Sequence, residues 1–281
     1  MLEIERYPSF LSPSALLMAE TSPNKFYINR LSALNIEKEP QTLAAAIGSA
    51  FDYYIKEKII TDKLQHKILI LSELKKSIEV KEANNIGKEI FNKYLENVPF
   101  DINEYQDVEI CKHIGLNLME FFNIKSIVPI YMKIDAIKNN KIHDWKVSGW
   151  TSIMGTSPKP GYYCIWDNGR PKSCHENYYE NIELQEIDVN WATQLCTYGW
   201  YLGLMGKKFL VTIDLLCFNG RNELRVAKYQ AWITPEFQKS VATRYALLWQ
   251  SILTEKFLDR IVSHNDINLV FIASQNETWW S

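Results

Sequence analysis

The sequence has little net charge. Its 31 Lys and Arg nearly balance 33 Asp and Glu, leaving −2 at neutral pH. No global field therefore draws the chain to a polyanion, and an anionic partner would need a local basic patch. No apolar run approaches the ~20 residues that span a bilayer, so no membrane partner is expected. The opening "MLEIERYPSF" has none of the pattern of a signal peptide. Cysteine is scarce and odd in number, five in 281 residues. Scattered thiols in a chain of this size point to a reduced, cytoplasmic protein without structural disulfides. Internal repeats, low-complexity tracts and obvious linkers are missing too. What remains is a chain 47 % hydrophobic and 23 % charged, ample for a well-buried core.

Helical signals come first. Ser12-Pro13 and Ser22-Pro23 each set a capping hydroxyl before a proline at the first helical position. "QTLAAAIGSAFDYYIKEKII" reads as a helix with alanine-rich packing around Gly48. From Thr61 to Phe122 the pattern stays helical in three segments, with breaks near "EANN" and at "ENVPFDINE". The strand signal begins at "SIVPIYMKIDAI". Residues 150–190 are hard to assign, although Asn168-Gly169 between aromatic runs is a hairpin signal. A helix from about Trp191 to Gly206 follows. Then come the strands "FLVTIDLLCF" and "LRVAKYQAWI" around an Asn219-Gly220 turn, and a helix opening at Thr234-Pro235 and running towards Arg260. The expectation is one α/β (α+β) domain over 1–281. Its helical part covers about 1–125, and a mixed sheet flanked by helices covers about 126–281, with an insertion at about 148–190.

The informative stretch is "IYMKIDAIKNNKIHDWKVSG", Ile130 to Gly149. If Asn139-Asn140 form a two-residue type I′ turn, opposed residues are those whose numbers sum to 279. Asp135 then faces Asp144, and Lys133 faces Lys146. The alternate face carries Met132, Ile134, Ala136, His143, Trp145 and Val147, an ordinary core face. Two carboxylates directly opposed, with Cβ atoms ~5 Å apart, repel. A divalent cation would relieve that repulsion, since hard ions bind through one or two carboxylates and water. Such an ion polarises a phosphoryl oxygen, and a neighbouring ammonium, Lys146, can orient the attacking water. Both aspartates can equally be solvated residues of an exposed hairpin, and the hairpin alone does not choose.

"IDAI…HDWK" resembles the core of the PD-(D/E)XK nuclease superfamily, an aspartate followed on the next strand by acid-x-Lys. Other stretches resemble its RecB-like and lambda-exonuclease-like branch. "LSPSALLMAETSPNKFYINRL" looks like the family's opening Leu-Ser-x-Ser helix and Cys-Pro-x-x-Phe/Tyr stretch. "GSAFD" looks like its Gly-x-x-x-His motif, with Asp52 in the histidine's place, and "QLCTYGWYLG" matches Gln-x-x-x-Tyr at Gln194 and Tyr198. The resemblance runs from about Leu11 to about Ile233 and keeps the family's order.

It implies a restriction-endonuclease-like fold and a Mg²⁺- or Mn²⁺-dependent DNA nuclease of exonuclease type, acting in recombination, repair or degradation. Asp135 and Asp144 would hold the metal, with the Trp145 carbonyl and Asp52 in support. Lys146 would act on water, and Gln194 and Tyr198, which in the family approach the nucleic-acid backbone or brace the site, would line the strand-binding groove as nucleic-acid-binding residues. Gly48 would let the helix bearing Asp52 approach the sheet closely. The competing expectation is a non-catalytic nucleic-acid-binding or scaffold protein on the same fold. DNA, a recombination partner protein and further copies of the chain are the partners implied, with the host cytoplasm as the setting if the protein is viral.

Departures from the family are visible. Lys133 stands where glycine often precedes the Ile-Asp pair, the histidine is absent, and roughly 45 residues separate Lys146 from the Gln194 helix. That insertion interleaves aromatics with Lys159, Arg170 and Lys172, which suits either a small subdomain core or a strand-gripping surface. Ser22 before Pro23, and no cysteine after Cys217, argue against the iron–sulfur cluster of some relatives. Cys164, Cys174 and His175 lack the paired spacing of a zinc site.

Overall fold

The computed structural model describes residues 3–34, 41–76, 80–119, 123, 125–149, 162–165, 171–172, 188–219 and 223–261. The helices among them are α1 (Pro13–Thr21), α2 (Pro23–Arg30), α3 (Leu43–Asp62), α4 (Ile68–Lys75), α5 (Lys81–Asn97), α6 (Val189–Tyr201) and α7 (Pro235–Leu253). The strands are β1 (Tyr105–Asn117), β2 (Ile127–Lys138), β3 (Lys141–Gly149), β4 (Tyr162–Ile165), β5 (Pro171–Lys172), β6 (Phe209–Asn219) and β7 (Glu223–Ile233). Five long strands and the short β4 and β5 form one mixed sheet in the order β1-β2-β3-β6-β7-β4-β5. Helices precede the sheet and flank it, the α/β arrangement expected.

Within this order β3 and β6 are parallel and the pairs β2–β3, β6–β7, β7–β4 and β4–β5 are antiparallel. Parallel neighbours need a long crossover. Here the chain from β3 to β6 passes through β4, β5 and α6, so the helix carrying Gln194 is part of the crossover.

The chain falls into two compact units: residues 1–38, 112–132 and 235–281, and residues 39–111 and 133–234. In the first, Ser12 Oγ accepts the Ala15 N–H at 3.2 Å, the cap expected of α1, whereas Ser22 makes no side-chain cap for α2. Leu11 bridges to Ile130, with Leu11 N–H donating to the Pro129 carbonyl at 2.9 Å and Tyr131 N–H to that of Leu11 at 2.8 Å. Arg244 grips the Glu20 carboxylate through two nitrogens, and Phe26 packs on Phe257 with ring centroids 5.2 Å apart.

In the second unit, Phe51, Ile55, Ile59, Ile90, Tyr94, Val108, Ala136, Trp145 and Leu216 share one apolar core. The close approach lies between helices: a Cβ on Gly87 of α5 would meet Ala50 Cβ at 2.5 Å and the Phe51 nitrogen at 2.8 Å. A Cβ on Gly48 would meet only Val147 Cβ at 3.9 Å, ordinary contact. The expected role of Gly48 is therefore not needed, and the glycines that packing requires are Gly87 and Gly199, whose Cβ would run into the Phe209 ring.

Other expectations need correction. Residues 105–117 form β1, not the last of three helical segments. Val108, Glu109 and Ile110 are all buried, which interrupts period-two alternation and hid the strand. "EANN" lies inside α5 rather than at a break, because its Ala83 is buried in the packing of that helix. The predicted helix to Arg260 ends at Leu253, followed by a 3₁₀ turn, Lys256–Arg260. The Asn168-Gly169 and Asn219-Gly220 turns straddle residues outside those described, although β4 pairs with β5 and β6 with β7 as hairpins would. Most of the aromatic insertion, Cys174 and His175 also lie outside the described residues.

Candidate metal centre

The hairpin forms as expected. Asn139 and Asn140 both take positive φ, 50° and 59°, and Lys138↔Lys141, Ile137↔Ile142 and Ala136↔His143 are paired. Asparagine tolerates that backbone better than most residues. Asp135 and Asp144 come next in this register. Neither sits on an exposed hairpin: Asp144 is 0 % exposed and the Asp135 side chain 20 %. The alternate face is buried but more polar than an ordinary core face. His143 Nδ1 lies 2.7 Å from Thr212 Oγ1, and the buried Tyr94 hydroxyl donates to Asp214 at 2.5 Å.

An ammonium answers the carboxylate repulsion on the Asp135 side. Lys56 Nζ donates to Asp52 Oδ2 at 2.7 Å, Glu109 Oε2 at 2.6 Å and Asp135 Oδ1 at 2.7 Å. Its side chain is 0 % exposed. Burial alone would push Lys56 towards neutrality; the Asp135, Asp52 and Glu109 charges overcome this and raise its pKa well above the ordinary value. The three carboxylates offer ligand atoms within 4.8 Å of one another, and this acidic triad could hold a metal ion. Burial would raise Asp135, but the Lys56 ammonium, helped by Lys146, holds it well below the usual carboxylate range. Asp52 has only one close ammonium and two acidic neighbours, and burial pushes it up to about 6.

A second ion pair lies beside the first. Lys146 Nζ stands 2.6 Å from Asp144 Oδ2. Neither Asp144 oxygen has a hydrogen-bond partner of good geometry, although both are buried. Burial pushes the Asp144 carboxyl well above the usual range; Lys146 opposes the shift and Asp135 adds to it. Lys146 Nζ also donates to Gln194 Oε1 at 3.0 Å, and Gln194 Nε2 donates to the Tyr198 hydroxyl at 2.6 Å. Four-residue spacing on α6 puts Gln194 and Tyr198 on one face. Asp188 starts that helix by accepting the Asn190 and Trp191 N–H groups. Both ends of the Gln194 amide are engaged and Tyr198 is 4 % exposed, so of the two expected roles the geometry favours bracing over strand contact.

A buried carboxylate with unsatisfied oxygens, next to a triad of acidic ligands, fits a hard divalent ion. Every expected site residue, namely Asp52, Asp135, Asp144, Trp145, Lys146, Gln194 and Tyr198, lies in the second unit. Asp52, Asp135, Asp144 and Lys146 converge, and Gln194 and Tyr198 attach through Lys146. Trp145 stands between Asp144 and Lys146, aligned with Asp214 of β6, and its ring joins the apolar core.

Sequence reasoning missed three members. Lys56 was visible in principle, four residues beyond Asp52 as Asp52 is beyond Gly48. Glu109 had no local signal. Its φ of 51° is an irregularity inside β1, and such an irregularity re-aims a side chain. Lys133, expected opposite Lys146 and a departure from the family, forms an ion pair with Glu109 Oε1.

No family model and no curated protein matches the chain. Among solved structures, one described as the crystal structure of SSO0001 is similar over 84 % of this chain and 82 % of its own, at 10 % identity and a TM-score of 0.29. Likeness at that level carries no argument about fold or function, and the site stands on its own geometry.

Proposed function

We propose that the chain is a Mg²⁺- or Mn²⁺-dependent DNA nuclease of exonuclease type. The observation that carries this reading is the meeting of Asp135, Asp144 and Lys146, with Asp144 buried, ion-paired to Lys146 through Oδ2, and lacking a hydrogen-bond partner of good geometry on either oxygen. DNA as the substrate rests on the resemblance to PD-(D/E)XK nucleases. Asp135 and Asp144 hold the ion, with Asp52 and the Trp145 carbonyl in support. When bound, it supplies Lewis-acid polarisation of a phosphoryl oxygen. Lys146 lies between Asp144 and Gln194, so its ammonium is aimed before substrate arrives. There it orients the attacking water and offsets charge growing on the phosphorane. Tyr198 fixes the Gln194 amide, and Gln194 in turn fixes Lys146.

The test is cleavage of end-labelled DNA with Mg²⁺. Asp144→Asn and Lys146→Ala should each abolish metal-dependent cleavage while circular dichroism stays that of the wild type. Cleavage persisting in both variants would falsify the assignment.

One observation favours a second reading, a non-catalytic nucleic-acid-binding or scaffold protein. Lys56 already neutralises the acidic triad without a metal. DNA retained in a gel shift but never cut, at any Mg²⁺ or Mn²⁺ concentration, would select this alternative.

A further inference from the structure

Hydrolases that use two metals hold them ~3.5–4 Å apart, one on each side of the scissile phosphate. Here a lysine stands among the acidic ligands. An ammonium has three N–H donors and no acceptor, and those of Lys56 go to Asp52 Oδ2, Glu109 Oε2 and Asp135 Oδ1 at 2.6–2.7 Å. Its side chain is 0 % exposed, so it has no donor or surface left for substrate. The other Glu109 oxygen pairs with Lys133. Both Glu109 oxygens are thus taken by ammonium groups, whereas buried Asp144 has Lys146 on Oδ2 and no hydrogen-bond partner of good geometry on Oδ1.

We propose that Lys56 is a built-in cation occupying one of two metal positions, so that the site accepts a single divalent ion, on Asp135 and Asp144. This rests on the nuclease reading for the ion itself. The charges agree with it. With all four carboxyls ionised, as ligands to an ion are, Asp52, Glu109, Asp135 and Asp144 face Lys56, Lys133 and Lys146, one negative charge in excess. One divalent ion reverses that excess to a single positive charge, which suits an anionic substrate. Two would leave three positive charges in a largely buried site. Lys56 is a positioning residue: it holds Asp52, Glu109 and Asp135 in place and touches no reacting atom.

Mn²⁺ titration followed by the paramagnetic resonance of the free ion tests this without activity. Wild type should take one ion, with affinity at least about tenfold lower in Asp144→Asn and no more than about threefold lower in Glu109→Gln, which acts only through space. Lys56→Met should take two ions, the second lost in a Lys56→Met/Glu109→Gln double variant. Lys56→Met should also melt below wild type in EDTA and recover with Mn²⁺. Two ions on wild type, a wild-type ion as sensitive to Glu109 as to Asp144, or one ion on a folded Lys56→Met would overturn the proposal. Should Lys56→Met not fold, the wild-type count and the Glu109→Gln arm decide alone. No ion on wild type would remove the nuclease reading. A Glu109-dependent ion appearing in Lys56→Met would then still support the substitution, and its absence would overturn both.

Discussion

Replacing Lys56 with methionine keeps the bulk of the side chain and removes one charge from among three carboxylates. At an effective dielectric of about 20, two unit charges 4.8 Å apart repel by about 3.5 kcal/mol. Three such pairs exceed what a folded domain tolerates, so the site would take up a proton instead. Neutralising one carboxyl of ordinary pKa near 4 costs about 4 kcal/mol at pH 7 and about 1.4 kcal/mol at pH 5. Protonation caps the penalty, and Lys133 still pairs with Glu109. The loss of stability in EDTA should be about 3–4 kcal/mol at pH 7, in the range for breaking a buried ion pair. The sign follows from proton uptake. The variant's folded state binds one proton more than its unfolded state above pH 4, so its stability falls as pH rises, by about 1.4 kcal/mol per unit. Urea unfolding of both proteins at pH 5, 6 and 7 measures the difference. A difference below about 1 kcal/mol at pH 7, or one that does not change with pH, would refute the reasoning.

Gly87→Ala should destabilise by about 1–3 kcal/mol, because its methyl meets Ala50 and the Phe51 backbone, whereas Gly48→Ala should be neutral or slightly stabilising; paired thermal melts compare them. Gln194→Ala should lower kcat about 10–100-fold and leave KM for DNA unchanged, as loss of a brace does, while a rise in KM alone would make Gln194 a strand contact. Tyr198→Phe removes one hydrogen bond, worth about 1 kcal/mol, and should move kcat in the same direction by less. Asp144 and Asp52 have raised folded pKa values, so each contributes stability that falls as pH rises above its unfolded value. Metal-free wild type should therefore lose stability as pH rises from about 4 through about 6, with a shallower slope in Asp144→Asn and the slope flattened by Mg²⁺; urea midpoints across that range provide the check.

The parts legible in the sequence are those set by local chemistry. Asn139-Asn140 announces its turn through backbone preference, and a two-residue turn leaves one register, which aligns Asp135 with Asp144. The four-residue step from Gln194 to Tyr198 places both on one helical face wherever the helix goes. The bonds they make depend on where β3 delivers Lys146, which no local pattern states. Lys56 was passed over because a metal was assigned to the charge problem that this lysine already addresses. Glu109 was out of reach because a strand irregularity, absent from any periodicity, turns it inward. Gly48 was credited with a close approach that Gly87 makes, since helix–helix and helix–sheet contacts leave the same trace in sequence.

The left-handed backbone at Glu109 has a cost and a use. A non-glycine residue at φ 51° gives up about 1–2 kcal/mol relative to its relaxed conformation. That strain is carried where two ammonium groups, of Lys56 and Lys133, meet the Glu109 carboxylate, so shape and charge at this position hold each other in place. Asparagine there would remove the charge and suit the contour; glutamine would remove the charge and keep the strain. Comparing the two would show whether the kink exists to present an acid or the acid exists to stabilise the kink.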